Sequence, residues 1–258
     1  MKNFFDKIFL RSNNLDYINQ SIQDLTKKTT ALKIFQAINS YSSEGEIRYV
    51  GGCVRKIINK EKVDDIDLAC NLKPRQVCEA LEKNNIDFYE SGIEHGTITA
   101  LVDDHKFEIT SLRKDVITDG RHAKVEFSQD WKEDSLRRDF TFNAIYSDKD
   151  GNLFDPYDGK KDLEKGLINF IGDADKRIKE DYLRILRYLR FFLNYSNQPH
   201  SAETIKSLKI NIGGISKLSK ERLLDELKKI AKLDTLEKLS IILILFLSFF
   251  EILNLYKK

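Results

Sequence analysis

Hydrophobic and polar residues follow two different patterns along this chain. Over residues 1–45, apolar side chains such as Ile22, Leu25, Phe35 and Ile38 recur at roughly helical spacing. Asn, Gln, Ser and Lys occupy many of the positions between them. This pattern predicts a helical N-terminal segment.

From residue 46 to about residue 150, shorter apolar runs replace the helical pattern. The run IRYV predicts a strand that ends at Gly51 and Gly52, and CVRKIIN predicts a helix directly after this turn. Further strands are predicted for DDIDLAC, IDFYES, GTITALV and KFEITSL, and a helix for KPRQVCEALEKNN. Together these elements predict an α+β domain with a mixed sheet.

Two other parts of the chain have patterns of their own. The charged stretch of residues 113–136 is long for a connection inside a compact domain, so we expect a functional loop or a lid there. From Asp173 onward the pattern is helical almost throughout, with breaks at 196–200 and 213–214. Residues 151–235 are therefore predicted to form an all-α region.

The C-terminal segment 236–258 contains a run, Ile241–Leu255, that is apolar on all sides of a helix. This run is shorter than the roughly 20 residues that cross a bilayer, and it carries Glu251. We therefore expect no membrane span but a helix that is buried or lies at an interface. A homodimer or a separate partner chain is one way to cover it.

Composition narrows the class of protein without identifying a function. The 258 residues, 41% hydrophobic and 33% charged, are typical of a globular protein of one or two domains. The formal net charge of +2 does not mark a nucleic-acid binder. Cys53, Cys70 and Cys78 match neither a disulfide set nor a zinc-ligand spacing, and Asp6 and Lys7 interrupt any signal-peptide core. We expect reduced cysteines and a cytoplasmic location.

The triplet Asp65-Ile66-Asp67 is the first pattern that suggests chemistry. Side chains at positions i and i+2 of a strand leave the same face, so Asp65 and Asp67 are predicted to lie side by side while Ile66 points into the core. Close carboxylates repel unless a cation joins them, and Mg²⁺ binds through one or two carboxylates plus substrate phosphates. Glu108 leaves the apolar face of its own strand and could supply a third carboxylate. For the triplet alone, ordinary acids on a solvated strand edge are the alternative.

Gly51 and Gly52 lie one element before the paired aspartates. A glycine turn between a strand and a helix lets the backbone approach a phosphate, and the start of the helix offers N–H groups to an anion. Arg55 follows in the first helical turn, near enough to pair with the same anion. Alone, the glycine pair is more typical of a plain tight turn. Its position next to the aspartates makes it a candidate phosphate site.

Two further groups of basic residues stand out. Arg137, Arg138 and Asp139 directly precede the core-type run FTFNA, which favours a guanidinium held in place over a mobile one. A solvated helix start is the alternative for this motif.

Asp181, Arg184, Arg187 and Arg190 are spaced by three on a segment predicted to be an amphipathic helix. Each step of three residues turns by about −60°, so the four groups are predicted to form a stripe along one side of the helix. The arginine donors and the aspartate acceptor could form hydrogen bonds with the edge of a nucleobase and with phosphates. Ion pairing on a solvated face explains the same spacing.

Together these motifs resemble those of the bacterial-type (class II) tRNA nucleotidyltransferase and poly(A) polymerase family, within the polymerase-β-like nucleotidyltransferase superfamily. Eight motifs run in the family's order over roughly residues 45–235: GGCVRK, DDIDLA, GIEHGTITALV with FEITSLR, DGRHAKVEF, EDSLRRDFTFNA, FDPYDGKKDL, KEDYLRILRYLRF and SKERLLDELKKI. The resemblance implies a polymerase-β-like catalytic head at residues 46–150. It further implies a helical neck at residues 151–235 that carries a nucleobase-reading helix.

The resemblance also implies roles for residues of the head. Gly52 and Arg55 stand where the family contacts the nucleotide phosphates. Asp65 and Asp67 stand where it holds Mg²⁺, with two ions expected. Glu108 stands where the family has its third sheet carboxylate.

Other implied roles concern the nucleotide itself. Arg138 stands where an arginine of the family meets the nucleotide. Asp181 and Arg184 occupy positions that form an amino-acid template for the Watson–Crick edge of incoming CTP or ATP. Arg187 and Arg190 are expected to support the nucleotide on the same helix.

Two departures from the family pattern are visible. Lys56 stands where the family usually has Asp after the arginine. The match also ends near residue 235, so we expect the helical body and tail that usually hold the tRNA to be largely missing.

The function that the resemblance implies is Mg²⁺-dependent addition of nucleotides from CTP and ATP to the 3′ end of tRNA. The protein would build or repair CCA, or add only CC or only the terminal A. A poly(A) polymerase of the same family is an alternative, because both enzymes share the catalytic sheet and a similar ED-x-x-R helix. A degenerate, non-catalytic RNA-binding or assembly protein is a second alternative. The intact carboxylates argue against it, because an acidic cluster without metal is costly to fold.

Overall fold

The computed structural model describes residues 2–116 and 124–232, and it divides the chain into two units between Lys160 and Lys161. The apolar run Ile241–Leu255, and the homodimer or partner interface predicted for it, lie outside the described residues. The same holds for the first five residues of the motif DGRHAKVEF.

Two helices, α1 (Lys2–Lys28) and α2 (Leu32–Tyr41), precede the sheet of the first unit. The prediction of a helical N-terminal segment is confirmed for these ranges. Ile22 on α1 and Ile38 on α2 are fully buried. The apolar spacing therefore marks the face that each helix turns toward the core.

A mixed sheet forms the centre of the first unit, as the alternating runs predicted. In the described part of the chain its strand order is β3-β4-β5-β2-β1-β8-β9, and β2 and β5 are parallel whereas the other pairs are antiparallel. The strands are β1 (Ile47–Val50), β2 (Ile66–Cys70), β3 (Asp87–Gly92), β4 (Thr97–Val102), β5 (His105–Ser111), β8 (Tyr146–Ser147) and β9 (Leu153–Phe154). Helices α3 (Gly52–Ile58) and α4 (Pro74–Lys83) follow β1 and β2.

The prediction of a long loop or lid at residues 113–136 is wrong for the part that the structure describes. Strands β6 (Arg113–Val116) and β7 (Lys124–Phe127) form a separate antiparallel pair, and α5 (Trp131–Leu136) follows them. Lys114 and Glu126 are cross-strand partners whose side chains form an exposed ion pair of 3.2 Å. Three of the four residues of β6 (RKDV) are charged, and the alternation in β7 (KVEF) spans only four residues, so the hydrophobic pattern that marks a strand is weak here.

The second unit contains helices α7 (Ala174–Glu180), α8 (Leu183–Tyr195), α9 (Ala202–Asn211) and α10 (Lys220–Ala231). The predicted break at 196–200 separates α8 from α9, and the break at 213–214 lies in a 3₁₀ turn, Ile212–Lys217. A further break at residues 181–182 was not predicted, because the apolar spacing continues through it. The all-α region also begins later than residue 151, since β9 still belongs to the sheet and α6 (Gly159–Glu164) comes after it.

Within the described residues, no helix combines the length and the apolar character that a bilayer crossing requires. Cys53 and Cys70 are buried free thiols and Cys78 is a partly buried one, as expected for cysteines that fill space in the core.

Leu68→Ala should lower the free energy of unfolding of the first unit by about 2–5 kcal/mol, because Leu68 is fully buried in β2. The matched control is Leu136→Ala at a side chain that is 53% exposed, where we expect a change of about 0.5 kcal/mol or less. Urea unfolding followed by the fluorescence of Trp131, the single tryptophan, reports on this unit. Equal losses in both variants would contradict the packing described here.

Candidate active site

The two sheet carboxylates lie side by side on neighbouring parallel strands. Asp67 of β2 is the register partner of Glu108 of β5. Ile66 and Leu68, the neighbours of Asp67, are buried, so the two carboxylates leave the opposite face of the sheet. Asp65 is exposed and lies one residue before β2 begins, so the prediction that it sits on the strand is wrong by one residue.

Asp67 has both negatively and positively charged side chains near it. Burial raises the pKa of its carboxyl, and the negative charges of Glu108 and Asp65 raise it further. The positive charges of Arg138 and Arg55 lower it, and the resulting pKa is about 6. The structure therefore brings the other four predicted site residues within electrostatic reach of Asp67.

The glycine turn borders this cluster. Gly51 has φ +67°, a conformation that glycine adopts without strain, and a Cβ there would lie 3.6 Å from Nη1 of Arg138. A Cβ on Gly52 would lie 3.8 Å from Oδ2 of Asp67 and 3.9 Å from Nη2 of Arg55. The backbone of the turn thus runs directly beside two guanidinium groups and a carboxylate.

Arg138 is held by a buried network that the sequence analysis did not identify. Its Nη2 donates to Oδ2 of Asp134 at 3.0 Å and its Nε donates to the hydroxyl of Tyr146 at 2.9 Å. Tyr146 donates to the same Asp134 oxygen at 2.7 Å, and Nε of Arg137 donates to Oδ1 at 2.8 Å. Burial raises the pKa of Asp134, but the charges of Arg138 and Arg137 outweigh it and hold the pKa at about 2. The prediction of a held guanidinium is confirmed.

Arg55 is held by a second network. Its side chain is almost fully buried, and its Nη1 donates to Oδ1 of Asn143. Nδ2 of Asn143 donates in turn to Oδ1 of Asp139 at 2.8 Å, and the backbone N–H of Phe140 donates to the same oxygen at 2.9 Å. The signal that could have identified Asp139 and Asn143 is the presence of polar residues inside an apolar run.

Lys56, which stands where the family usually has Asp, forms an ion pair with Asp64. Its Nζ lies 2.9 Å from Oδ2 of Asp64, the residue before Asp65. The hydrogen bond from Lys56, followed by its charge, lowers the pKa of Asp64. This ion pair therefore lies at the entry to the strand that carries Asp67.

Asp65 and Asp67 could bind a hard cation as two protein ligands, without a complete set of ligands from the protein. Among the residues that the structure describes, no three His, Cys, Asp or Glu side chains group closely enough to hold a metal ion. Mg²⁺ commonly uses one or two protein carboxylates and takes its remaining oxygens from water and substrate phosphates. Asp65 and Asp67 supply that kind of donor set, and burial together with the negative charges of Glu108 and Asp65 raises the pKa of Asp67.

The predicted nucleobase-reading residues lie in the second unit. Arg184, Arg187 and Arg190 are on α8, but Asp181 is not, since it lies two residues before this helix in an extended conformation. Oδ1 of Asp181 accepts from the backbone N–H of Leu183 at 3.1 Å. The prediction that Asp181 continues the stripe on the helix is therefore wrong, because its side chain caps the first turn instead.

The arginines of α8 are held by neighbours. Arg184 is 9% exposed, and its Nη1 donates to Oε2 of Glu180 at 2.7 Å and to the carbonyl of Arg177 at 2.8 Å. Nε of Arg190 donates to Oε1 of the buried Glu226 at 2.5 Å. Such partners fix the arginines in one conformation.

Known proteins share this fold and much of this sequence. Residues 47–169 match the family model of the poly A polymerase head domain. The chain is 46% identical over 186 residues to human mitochondrial CCA tRNA nucleotidyltransferase 1, over 71% of this chain and 43% of that protein. It is 38% identical over 202 residues to the CCA-adding enzyme of Lactobacillus johnsonii, over 77% of this chain and 48% of the relative. The chain thus spans about half the length of these relatives.

Solved structures give the same match. The CCA-adding enzyme of Bacillus stearothermophilus in complex with CTP superposes with a TM-score of 0.68 at 29% identity, over 77% of this chain and 47% of that one. A tRNA nucleotidyltransferase complexed with a primer tRNA and an incoming ATP analog gives a TM-score of 0.61 at 26% identity, over 92% of this chain and 59% of that one.

Asp67→Asn should stabilise the protein at pH 8 much more than at pH 4. The pKa of Asp67 in the folded protein is about 6, above its ordinary value of 3.8. Protonation of Asp67 therefore adds to the free energy of unfolding; this contribution is complete below about pH 4 and is lost as the pH rises through 6. Asparagine does not ionise and removes that loss. Thermal unfolding at both pH values measures the difference. Asp64→Asn, at a carboxyl with a lowered pKa, is the control and should not stabilise at either pH.

Tyr146→Phe should lower the free energy of unfolding by about 1–3 kcal/mol, because it removes a buried hydroxyl that bonds both Asp134 and Arg138. The control is Tyr157→Phe, whose hydroxyl makes only a 3.4 Å contact with Ser135. Urea unfolding followed by circular dichroism measures both variants. If the two substitutions cost the same, the Asp134 network does not hold Arg138 as described.

Proposed function

We propose that the chain is a nucleotidyltransferase that extends the 3′ end of tRNA, because residues 47–169 match the family model of the poly A polymerase head domain. The relatives named CCA tRNA nucleotidyltransferase and CCA-adding enzyme support tRNA as the acceptor. The similar structures in complex with CTP and with an ATP analog support CTP and ATP as the nucleotide substrates. The product would be a complete CCA end, or only its CC or its terminal A.

One observation supports this function most strongly: Asp67 lies within reach of both acidic and basic groups of the site. Asp65 and Asp67 are suited to a divalent cation. Arg55 and Arg138 carry guanidinium groups, which are suited to phosphate oxygens. A site that offers both kinds of charge beside a glycine turn matches a metal-bound nucleoside triphosphate.

In the proposed reaction, the 3′-hydroxyl oxygen of the RNA attacks the α-phosphorus of the nucleotide. The new bond joins that oxygen to phosphorus, the hydroxyl loses its proton to solvent, the bond to the α–β bridging oxygen breaks, and pyrophosphate leaves. Gly52 lets the backbone approach the phosphates, and Arg55 and Arg138 hold them. Two Mg²⁺ ions held by Asp65 and Asp67 would supply charge stabilisation at the transferred phosphate. Glu108 adds negative charge beside Asp67 and completes the carboxylate set.

Base choice follows from donor and acceptor chemistry. Cytosine and adenine both carry an exocyclic amino group, which donates hydrogen bonds. An ionised Asp181 only accepts and Arg184 only donates, so the pair suits an amino group next to a ring nitrogen that accepts. Uracil and guanine present a carbonyl in place of that amino group and leave the carboxylate facing an acceptor. We propose Arg187 and Arg190 as the residues that support the nucleotide beside this pair.

Two expectations from the sequence stay predictions: the cytoplasmic location, and an interface formed by residues 236–258. Neither is needed for the reaction proposed here.

The test uses the full chain with Mg²⁺ and RNA primers that end before CCA, after C, after CC, or in an unrelated sequence. Labelled CTP and ATP are supplied singly and together. Ordered addition that stops at CCA, or at its CC or A part, supports the proposal. A long A tail on unrelated RNA would indicate a poly(A) polymerase instead. No incorporation by a folded preparation would favour a non-catalytic RNA-binding protein.

Asp65→Ala should abolish transfer and leave the circular dichroism spectrum unchanged, because the residue is exposed and its proposed role is to hold Mg²⁺. Mg²⁺ should also raise the melting temperature of the unsubstituted protein but not that of the variant, a readout that does not depend on turnover. Asp64→Asn serves as the control and should retain transfer. Unchanged turnover in Asp65→Ala would overturn the metal assignment.

A further inference from the structure

Both carboxylate oxygens of Asp181 already have partners within the second unit. Oδ1 accepts from the backbone N–H of Leu183 at 3.1 Å, and Oδ2 accepts from Nη2 of Arg222 on α10 at 2.8 Å. A carboxylate has about four lone-pair sites. It can therefore keep these two bonds and still accept another from a ligand. The two bonds fix the plane of the carboxylate, because they reach it from different elements.

The turn that carries Asp181 is also packed from another side. The ring of Tyr182 lies so close to Gly214 that a Cβ on this glycine would be 2.0 Å from Cδ1 of the ring. Nζ of Lys217 lies over the same ring, 5.4 Å from its centroid. The backbone at residues 181–182 therefore has little freedom to move. Arg222 acts instead on the side-chain torsions of Asp181.

We propose that Arg222 is a positioning residue that holds the Asp181 carboxylate in the orientation that accepts the nucleobase amino group. It thereby sets how strongly the protein prefers cytosine and adenine over uracil and guanine. The inference rests on the proposed function, since it takes Asp181 as a residue that contacts the base. Arg222 itself acts through Asp181 and does not need to touch the nucleotide.

The exposure of Arg222 separates this role from a structural one. Its side chain is 51% exposed, and an ion pair at such a position contributes little to folding stability. Removing the pair should leave the helices intact. Without Arg222, the Asp181 carboxylate would rotate among several orientations. Binding of the base would then have to fix one of them, which makes the free energy of binding less favourable. We expect this cost to appear in the Michaelis constant and in base preference more than in kcat.

The experiment compares Arg222→Gln, Arg222→Lys and the unsubstituted chain in single-nucleotide addition to an RNA primer that ends before CCA. Arg222→Gln should raise KM for CTP and lower the preference for CTP over UTP, measured as the ratio of kcat/KM values, by about tenfold, or about 1.4 kcal/mol. Arg222→Lys, which keeps a donor, should recover part of the preference. The matched control is Lys228→Gln on the same helix, a 71% exposed lysine that pairs with Asp225. It should behave like the unsubstituted chain.

A preference in Arg222→Gln equal to that of Lys228→Gln would overturn the proposal. An equal fall in kcat for CTP and UTP with no change of preference would overturn it as well, because that pattern reports a general structural effect.

Calorimetric binding of CTP and UTP without RNA separates this proposal from the proposed function. If the unsubstituted chain transfers no nucleotide but binds CTP more tightly than UTP, and Arg222→Gln loses that difference, the transferase activity is wrong and the positioning role stands. If the unsubstituted chain binds both nucleotides equally, the positioning role fails, whatever its turnover.

Discussion

The chemistry of the first unit depends on the carboxylate of Asp67, which is largely withdrawn from solvent and lies beside other charged groups on two central strands of the sheet. Parallel pairing of β2 with β5 places Asp67 beside Glu108, and Asp65 adds a further negative charge next to the strand. Burial raises the pKa of Asp67 most, these negative charges raise it further, and Arg138 and Arg55 offset only part of the rise, so the pKa stays near 6. Folding therefore stores an electrostatic cost at this position, and a divalent cation is the simplest ligand that relieves it.

The rest of the first unit holds the compensating cations in place. Asp134 and Tyr146 bond Arg138, and Asn143 bonds Arg55, so each guanidinium reaches the carboxylates from a fixed direction. Arg55 is buried and Arg138 is partly buried, and both are bonded to partners that are themselves bonded, which gives a preorganised site instead of mobile surface charges. In the second unit, Asp181 is likewise fixed by hydrogen bonds, from the backbone N–H of Leu183 and from Arg222.

Much of this arrangement could be predicted from the sequence, because short-range patterns encode it. Alternation placed Asp67 and Glu108 on strands, and the glycine pair located the turn that precedes α3. The networks behind the arginines could not be predicted, since Asp134 and Tyr146 are 12 residues apart and only tertiary packing brings them together. The Asp181 error has a similar origin, because apolar spacing does not reveal that a side chain caps a helix. The pair β6–β7 was missed because three of the four residues of β6 are charged and the apolar alternation of β7 is only four residues long.

The most direct test of the central claim is a ¹³C NMR titration of the Asp67 carboxyl, with and without Mg²⁺, with Asp67→Asn as the assignment control. We expect a midpoint near pH 6 without the cation and a shift to lower pH when Mg²⁺ is added. A midpoint near pH 4 that Mg²⁺ does not move would contradict the site described here, because Asp67 would then sense neither burial and its acidic neighbours nor a bound cation.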